Sequence, residues 1–243
     1  MDALIYTAMS GADRMLKAQQ IHANNIANAE TGGFRADIGV STSQTVPGYG
    51  YDARHLSQNG ANAVDVRSGA VVETGRDLDV AVKGEGFFAV QGPDGNEAYT
   101  RAGAMVADVD GKLSVNGHPV LGDGGQITLP PDYVKLHVGS DGVISVLAAG
   151  ESEMQPIDKL KLVKPLPQDI AKDPNGLVIS RQGGVLAADD TVKVQGEHLE
   201  RSNVSAVEEM VATMTLNRNF EMQMRLFNSA SDMVEAGNRL VRA

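Results

Sequence analysis

The chain has 243 residues, which is long enough for one large or two modest domains, each with its own hydrophobic core. It carries 31 acidic and 21 basic residues, for a formal net charge of −10, so nonspecific binding to nucleic acid or to an anionic membrane is disfavoured. Cys is absent, which excludes disulfides and cysteine-based metal sites. No stretch approaches the roughly 20 apolar residues of a membrane span, and the first residues lack the pattern of a cleavable signal peptide.

An N-terminal α-helix is predicted over residues 2–30. Apolar and small residues recur along it at alternating spacings of four and three, which is typical of a heptad repeat, with Gln19 as a polar exception. The Thr31-Gly32-Gly33 sequence indicates the end of the helix. The predicted interface positions of this helix are Ile5, Met9, Ala12, Leu16, Ala23 and Ile26.

A second helix is predicted from Ser205 to about Val241. Ser205 and Glu208 have the spacing of a capping box, and the region contains one Gly and no Pro. A similar heptad pattern places Met210, Phe220, Met224, Phe227 and Val234 at the predicted interface. Periodicity alone fits an intramolecular core as well as an intermolecular contact, but small and polar members of both stripes favour packing among several helices.

Between the helices the pattern changes. Residues 36–74 are poor in large apolar side chains and are predicted to form an extended, partly ordered connector. Residues 75–200 show short strand-like runs separated by turn sequences such as Asp110-Gly111 and Asn116-Gly117, which predicts a compact antiparallel β domain. The predicted class is therefore α+β, with a coiled-coil-like pair formed by segments 1–35 and 201–243 and a central antiparallel β domain.

Local motifs for chemistry are weak. The G-x-G-x-x-A pattern at Gly84–Ala89 is followed by a strand-like run and not by a helix, so a hairpin turn is favoured over a dinucleotide loop. The Asp108–Gly111 sequence lacks the Glu of a calcium loop, because Gly117 stands in its place. The five histidines have no zinc-ligand spacing, and no nucleophile elbow is present. We expect no catalytic residue, no cofactor and no metal.

Four ordered segments resemble the flagellar rod and hook proteins, over nearly the whole chain except the connector and residues 147–180. The segments are Asn25–Arg35, Leu78–Phe88, Tyr99–Gly103 with Asn116–Gly122, and Leu199–Val204 with Glu209-Met210. Glu30 departs from the uncharged residue that this family usually has at that place. The motif residues that carry the resemblance are Asn25, Asn28, Thr31, Gly33, Phe34, Gly84, Gly86, Phe87, Ser202, Asn203 and Val204.

The resemblance implies a non-enzymatic subunit that polymerises helically into a hollow, torque-transmitting shaft. It favours the proximal rod over the alternatives, which are a distal-rod or hook-type axial subunit and, in a different class, a β-domain binding module. The implied partners are copies of the chain, other proximal and distal rod subunits and the flagellar export apparatus, with no nucleic acid and no direct membrane insertion. The implied location is the periplasm-spanning rod of the basal body, reached by export without a cleavable signal peptide.

Overall fold

The computed structural model describes residues 2–45, 55–60 and 62–242. It divides into two compact units, which are described separately below. The helical unit consists of the described residues in segments 1–27, 37–62 and 205–243, and the β unit consists of 28–36 and 63–204. Two helices and many short antiparallel strands make this an α+β protein, as predicted. Over the described residues, no helix is long and apolar enough to cross a membrane.

The helical unit contains two long helices and three strands. Helix α1 spans Asp2–Ala27 and helix α2 spans Ala206–Arg242, with strands β1 Asp37–Ile38, β2 Ser41–Thr45 and β3 His55–Asn59 between them in sequence. Strands β2 and β3 pair in an antiparallel arrangement. This pair is fixed to α1 because the Ser10 hydroxyl donates to the carbonyl of Ser57 at 3.1 Å and accepts from its amide at 2.9 Å.

The helix ends follow from local sequence. Helix α1 ends at Ala27, three residues before the predicted limit, and a turn follows in which the Thr31 amide donates to the carbonyl of Asn28 at 3.1 Å. Gly33 then takes a left-handed conformation with φ of +69°, which an L side chain rarely adopts. Helix α2 begins where predicted, with the Ser205 hydroxyl accepting from the Glu208 amide at 3.4 Å.

The β unit is built of short antiparallel strands and one 3-10 turn at Pro167–Asp169. The strands are β4 Ala63–Val64, β5 Val71–Glu73, β6 Val80–Lys83, β7 Phe87–Gln91, β8 Glu97–Thr100, β9 Met105–Ala107, β10 Leu113–Val115, β11 His118–Pro119, β12 Leu121–Gly122, β13 Gly125–Gln126, β14 Tyr133–Val138, β15 Val143–Ala148, β16 Gln155–Lys159, β17 Leu162–Val163, β18 Ile170–Lys172, β19 Val178–Ser180, β20 Lys193–Gly196 and β21 His198–Glu200. The largest sheet has five strands in the order β17-β7-β8-β19-β18. Two three-stranded sheets have the orders β11-β10-β9 and β14-β15-β16.

The predicted strand runs and turns are confirmed, with one correction. The turns at Asp110-Gly111 and Asn116-Gly117 join paired strands, as expected for hairpins. The turn at Gly84–Gly86 does not form a hairpin: β6 pairs with β20, whereas β7 pairs with β8 and β17. The prediction of a hairpin turn there was wrong, because the two strands on either side of the turn belong to different sheets.

The core of the β unit consists mainly of aliphatic side chains. Its larger cluster includes Val80, Phe88, Leu113, Ile127 and Ile144, all fully buried. A smaller cluster lies around Phe87 and Tyr99. Each fully buried aliphatic or aromatic side chain stabilises the fold by about 1.5–3 kcal/mol. Both clusters consist of residues of the β unit alone, so this unit has its own hydrophobic core.

The segment predicted as a connector contains defined strands. Residues 46–54 and 61 of it lie outside the described residues, and its remaining part contributes β1–β5. Strand β2 is polar and exposed, and β3 is polar except for Leu56, which is half-buried together with Ser57. Their pairing is fixed by the backbone ladder and by Ser10, and not by alternating apolar residues, so the sequence carries no hydrophobic pattern from which to predict them.

Candidate functional site

The β unit contains a buried cluster of three charged side chains. Glu200, at the end of β21, accepts from Arg35 at 2.7 Å through one carboxylate oxygen and from Arg101 at 2.9 Å through the other. All three side chains are at most 1% exposed. The triad joins three distant parts of the chain: the segment after α1, the end of β8 and the segment before α2. Because removal of a partner would leave a buried unpaired charge, the triad fixes these three segments to one another.

Arg101 makes further contacts that place it firmly. Its guanidinium donates to the carbonyl of Gly84 at 2.6 Å and lies over the ring of Phe87, 5.2 Å from the ring centre. Burial, followed by the nearby charge of Arg35, lowers the pKa of Arg101 to about 10, while Glu200 opposes this shift. Arg101 therefore remains cationic at neutral pH, and one carboxylate faces two cations.

Two glycines allow the chain to pass close to this triad. The Gly33 amide donates to the backbone carbonyl of Glu200 at 2.8 Å, and a Cβ at Gly33 would stand 2.3 Å from the carbonyl carbon of Arg101. The Gly69 amide donates to the Glu200 carboxylate at 2.7 Å, and a Cβ there would stand 2.1 Å from the carbonyl oxygen of Arg201. Only residues without a side chain fit these two positions.

Asn203 links the same segments through its side-chain amide. Its oxygen accepts from the Ala36 amide at 2.7 Å, and its nitrogen donates to the carbonyls of Asp65 at 3.1 Å and Arg67 at 2.9 Å. Its backbone amide donates to the carbonyl of Phe34 at 3.3 Å. The Asn203 side chain therefore provides hydrogen-bond partners for three backbone groups in segments without regular secondary structure.

Most of the predicted motif residues lie around this junction, which we define as segments 28–36, 82–87, 100–103 and 198–204. Gly33, Phe34, Gly84, Phe87 and Asn203 contact the triad or its supporting segments, as described above. The remaining motif residues make local contacts. Asn28 and Thr31 form the turn after α1, and the Ser202 hydroxyl accepts from the amide of the half-buried Val204 at 3.2 Å. Gly86 has a positive φ of +139°.

Asn25 is the motif residue that belongs to the helical unit. Its buried amide donates to the carbonyl of Asp37 at 3.1 Å and to the carboxylate of Glu209 at 3.1 Å, and it accepts from the Asp37 amide at 2.9 Å. The ring of His22 also forms a hydrogen bond with Glu209. These contacts hold the last turns of α1 against the first turn of α2.

The two helices pack antiparallel along their length. His22 and Asn25 contact Glu209 near the start of α2, whereas Gly11 lies against Gln223, about four turns further along α2. The buried or half-buried positions include two stripes with spacings of four and three. They are Gly11, Met15, Ala18, His22 and Asn25 in α1, and Glu209, Thr213, Leu216, Phe220, Gln223, Phe227 and Ala230 in α2.

The predicted interface residues divide into two groups. Five are exposed on the outer side of the helix pair: Met9, Leu16, Ala23, Met210 and Met224. Four are half-buried: Ala12, Ile26, Phe220 and Phe227. The side chains of Ile5 and Val234 lie outside the described ones. In α1, the stripe that faces α2 stands one residue before the predicted interface positions. Among the large apolar residues at those positions, Met9 and Leu16 are exposed and Ile26 is half-buried, and their part in assembly stays a prediction.

Sequence reasoning did not identify Arg35, Arg101 and Glu200 as the centre of the junction. A signal was present, because each of these residues stands inside a quoted motif segment, two residues from Gly33, two from Gly103 and three from Asn203 respectively. A charged residue within a motif is usually a surface or catalytic residue, and its burial depends on partners 99 and 165 residues away.

The contacts of the junction link distant segments of the chain. The Glu200 carboxylate oxygens accept from both arginines and from the Gly69 amide, whereas Nε and Nη1 of Arg35 and Nε of Arg101 are buried without a hydrogen-bond partner. Among the described residues, no three His, Asp or Glu side chains are grouped as metal ligands would be. The arrangement can hold distant segments in a fixed relation.

Three family models match the chain, over the segments that supply the junction and the helices. Residues 5–35 match the flagella basal body rod protein family, residues 81–146 the D1 domain of the flagellar hook protein FlgE/F/G, and residues 195–240 the C-terminal part of the flagellar basal body rod FlgEFG protein. The class of protein is thus that of the rod and hook subunits of the bacterial flagellum, as the sequence motifs predicted.

Similarity to individual proteins extends over the full length. The chain is 37% identical over 249 residues to the flagellar basal-body rod protein FlgF of Escherichia coli K12, with 99% of each chain covered. It is 32% identical over 243 residues to FlgF of Caulobacter vibrioides, covering 96% and 95%, and 29% identical over 258 residues to FlgG of Bacillus subtilis, covering 95% and 96%. The chain therefore belongs to the flagellar basal-body rod protein family.

Proposed function

We propose that the chain is a structural subunit of the flagellar proximal rod and that it polymerises helically into a hollow shaft that transmits torque. The observation that carries this proposal is the full-length similarity to rod proteins named FlgF, at 37% identity. The fold supports this proposal, because two long helices can contact neighbouring subunits while the β unit keeps a hydrophobic core of its own.

The helices α1 and α2 are proposed to form a coiled-coil-like pair. The alternating spacings of four and three in both buried stripes support this, since a heptad repeat keeps one face of each helix against its partner. The stripe contains polar and small members such as His22, Asn25 and Glu209, whose hydrogen bonds specify how the helices align. A polar residue inside such a stripe fixes register at a cost in stability.

The outer side of the pair is proposed to bind neighbouring subunits. Met9 and Leu16 in α1 are 58% and 48% exposed, and Val207, Val211 and Met214 in α2 are more than half exposed. Apolar side chains in such numbers are uncommon on the surface of a monomeric protein and mark contact sites. If one copy's stripe binds a different surface on the next copy, the contact does not close on itself and a helical filament results.

The proposed partners are copies of the chain and other proximal and distal rod subunits. We also propose that the flagellar export apparatus delivers the chain to the periplasm-spanning rod without a cleavable signal peptide, and that it acts without catalysis, nucleic acid or membrane insertion. A distal-rod or hook-type axial subunit is the second candidate, which the 29% identity to FlgG supports. A binding module carried by the β unit is the third candidate.

Substitutions in the helices test the proposal. Ile26→Asp and Phe220→Asp place a charge at half-buried positions of the helix pair, and loss of a buried Ile or Phe side chain costs about 2–5 kcal/mol. We expect both variants to leave the melting of the β unit unchanged but to block rod growth, so that motility and the hook are lost together. Val109→Asp is the matched control, since Val109 is a fully exposed apolar residue of the β unit.

The outcome separates the candidates. Val109→Asp is expected to assemble and swim normally. Normal rods and motility in either helix variant would refute assembly through the helices. If deletion of the gene leaves the rod complete and interrupts only the hook, the hook-type candidate is correct.

A further inference from the structure

Methionines are concentrated on helix α2. The chain has ten methionines and no cysteine, so thioethers are its only sulfur groups. Five of the ten lie in α2, and their exposed fractions range from 39% to 64%: Met210, Met214, Met222, Met224 and Met233. By contrast, Met105 in the core of the β unit is 1% exposed. An oxidant in solution therefore reaches the α2 methionines and does not reach Met105.

The five methionines avoid the side of α2 that faces α1. The buried stripe of α2 passes through Glu209, Phe220 and Phe227 among others, and none of the methionines stands in that stripe. Met210 and Met214, one turn apart, lie on the outer side together with Val207 and Val211. A chemical change at these sulfur atoms alters the outer surface and leaves the contacts between the two helices in place.

The chemistry that modifies such a site is oxygen transfer to sulfur. A lone pair of the thioether attacks an oxygen of a peroxide, the O–O bond breaks, and the products are a sulfoxide and water. Sulfur is oxidised by two electrons and the peroxide is reduced by two. The sulfoxide is polar and accepts hydrogen bonds, so it turns an apolar contact surface into a polar one, and sulfoxide reductases reverse the change.

We propose that the outer face of α2 is a reversible oxidation site for peroxide-class oxidants, and that its oxidation weakens the binding of a subunit to its neighbours. The first part rests on the exposure of the five methionines. The second part also rests on the proposed function, because it requires this face to be an assembly surface.

The first experiment treats the purified full-length chain with hydrogen peroxide under native conditions and measures sulfoxide at each methionine by peptide mass spectrometry. We expect all five α2 methionines to oxidise at least roughly tenfold faster than Met105, because oxidation follows exposure. We also expect the treated chain to elute earlier from a hydrophobic-interaction column and to return to its original position after sulfoxide reductase. Equal rates at Met105 and on α2 in the folded chain, or an unchanged elution, would overturn the oxidation site.

The second experiment compares incorporation into rods in cells before and after peroxide. A variant with all five α2 methionines replaced by Leu is compared with its own incorporation in the absence of peroxide, whatever that level is. Peroxide is expected to lower its incorporation far less than that of the unaltered chain, whereas Met154→Leu, at an exposed site of the β unit, is expected to respond like the unaltered chain. Equal sensitivity of the five-fold Leu variant and the unaltered chain would overturn the effect on assembly. If the untreated chain itself does not enter rods, the proposed function fails while the oxidation site is still decided by the first experiment.

Discussion

Removal of the charge of Glu200 is the sharpest test of the buried junction. Glu200→Gln keeps the size of the side chain and one oxygen that can accept from the Gly69 amide. It removes the negative charge that lies between Arg35 and Arg101, 2.7 Å and 2.9 Å away. The two arginines would then face each other in a buried site without a counter-charge. We expect the β unit to lose stability and the helical unit to keep its own contacts.

The size of the effect follows from the burial of all three groups. Breaking a buried ion pair by removing one partner costs about 3–5 kcal/mol. In a unit of this size, about 1 kcal/mol corresponds to about 2–4 °C in melting temperature, so Glu200→Gln is expected to lower the melting of the β unit by about 6–20 °C. A native domain has only about 5–15 kcal/mol of total stability, which makes this a severe loss.

The assay is urea unfolding of the full chain, followed by the fluorescence of its five tyrosines, of which Tyr99 is buried in the β unit, and by circular dichroism of the strands. Asp110→Asn is the matched control, because its pairing with Lys112 at 3.7 Å is exposed and contributes within about 0.5 kcal/mol. Arg101→Met combined with Glu200→Gln is expected to cost less than the two single changes added, since both act on one network. A loss from Glu200→Gln no larger than that from Asp110→Asn would refute the reasoning.

Three further predictions concern the same unit. Gly33→Ala is expected to destabilise it by about 1–3 kcal/mol or more, because the residue has φ of +69° and its Cβ would collide with backbone atoms. Asn203→Ala is expected to cost about 2–4 kcal/mol, because it leaves three backbone groups without their partner. Burial raises the pKa of Asp65, but hydrogen bonds from Arg67 outweigh it and lower the pKa below 3.8. The stabilisation by Asp65 is therefore complete above pH 3.8 and is lost as the pH falls further, so Asp65→Asn is expected to weaken the unit at neutral pH and much less in acid.

Each of these predictions has a direct measurement and a contrary result. Urea unfolding at neutral pH measures the first two, with Gly95→Ala as the control for positive φ without a close neighbour. A Gly33→Ala loss equal to that of Gly95→Ala would show that the close approach is unimportant, and an unchanged stability in Asn203→Ala would show that the linked carbonyls and amide find other partners. Unfolding across a pH series tests Asp65, and a difference between wild type and variant that grows in acid would contradict the sign.

The sequence predicted the secondary-structure elements, whereas its assignment of assembly-interface residues along the helices stays a prediction. Both helices, the hairpins at Asp110-Gly111 and Asn116-Gly117 and the cap at Ser205 follow from local patterns, because local turn chemistry decides them. The stripe along α1 was assigned by its large apolar residues, such as Met9 and Leu16. In the structure, the positions one residue earlier, such as Gly11, His22 and Asn25, lie toward α2, where small and hydrogen-bonding side chains meet. Hydrophobic periodicity does not register contacts made through hydrogen bonds.

The junction could be predicted as a set of motifs but not as a charged cluster. The motif residues were identified individually, and most of them do surround Glu200. Their common centre depends on contacts between residues 35, 101 and 200, and no local rule relates positions so far apart. In addition, a buried charge is uncommon enough that exposure is the default expectation for any single Arg or Glu.

The β unit pairs strands near its start with strands near its end, and this pairing affects how the unit folds while the chain is being synthesised. Strand β6 pairs with β20, β5 pairs with β21, and Glu200 follows Arg101 by 99 residues and Arg35 by 165. A chain that is synthesised from its N-terminus, as on the ribosome, contains both arginines long before Glu200, the carboxylate with which both of them pair. Such a partial chain lacks two pairing strands and would have to bury two uncompensated cations, so it stays open. The β unit can close only when almost all of its residues are present, and a fragment ending before residue 193 is expected to be a target for proteolysis.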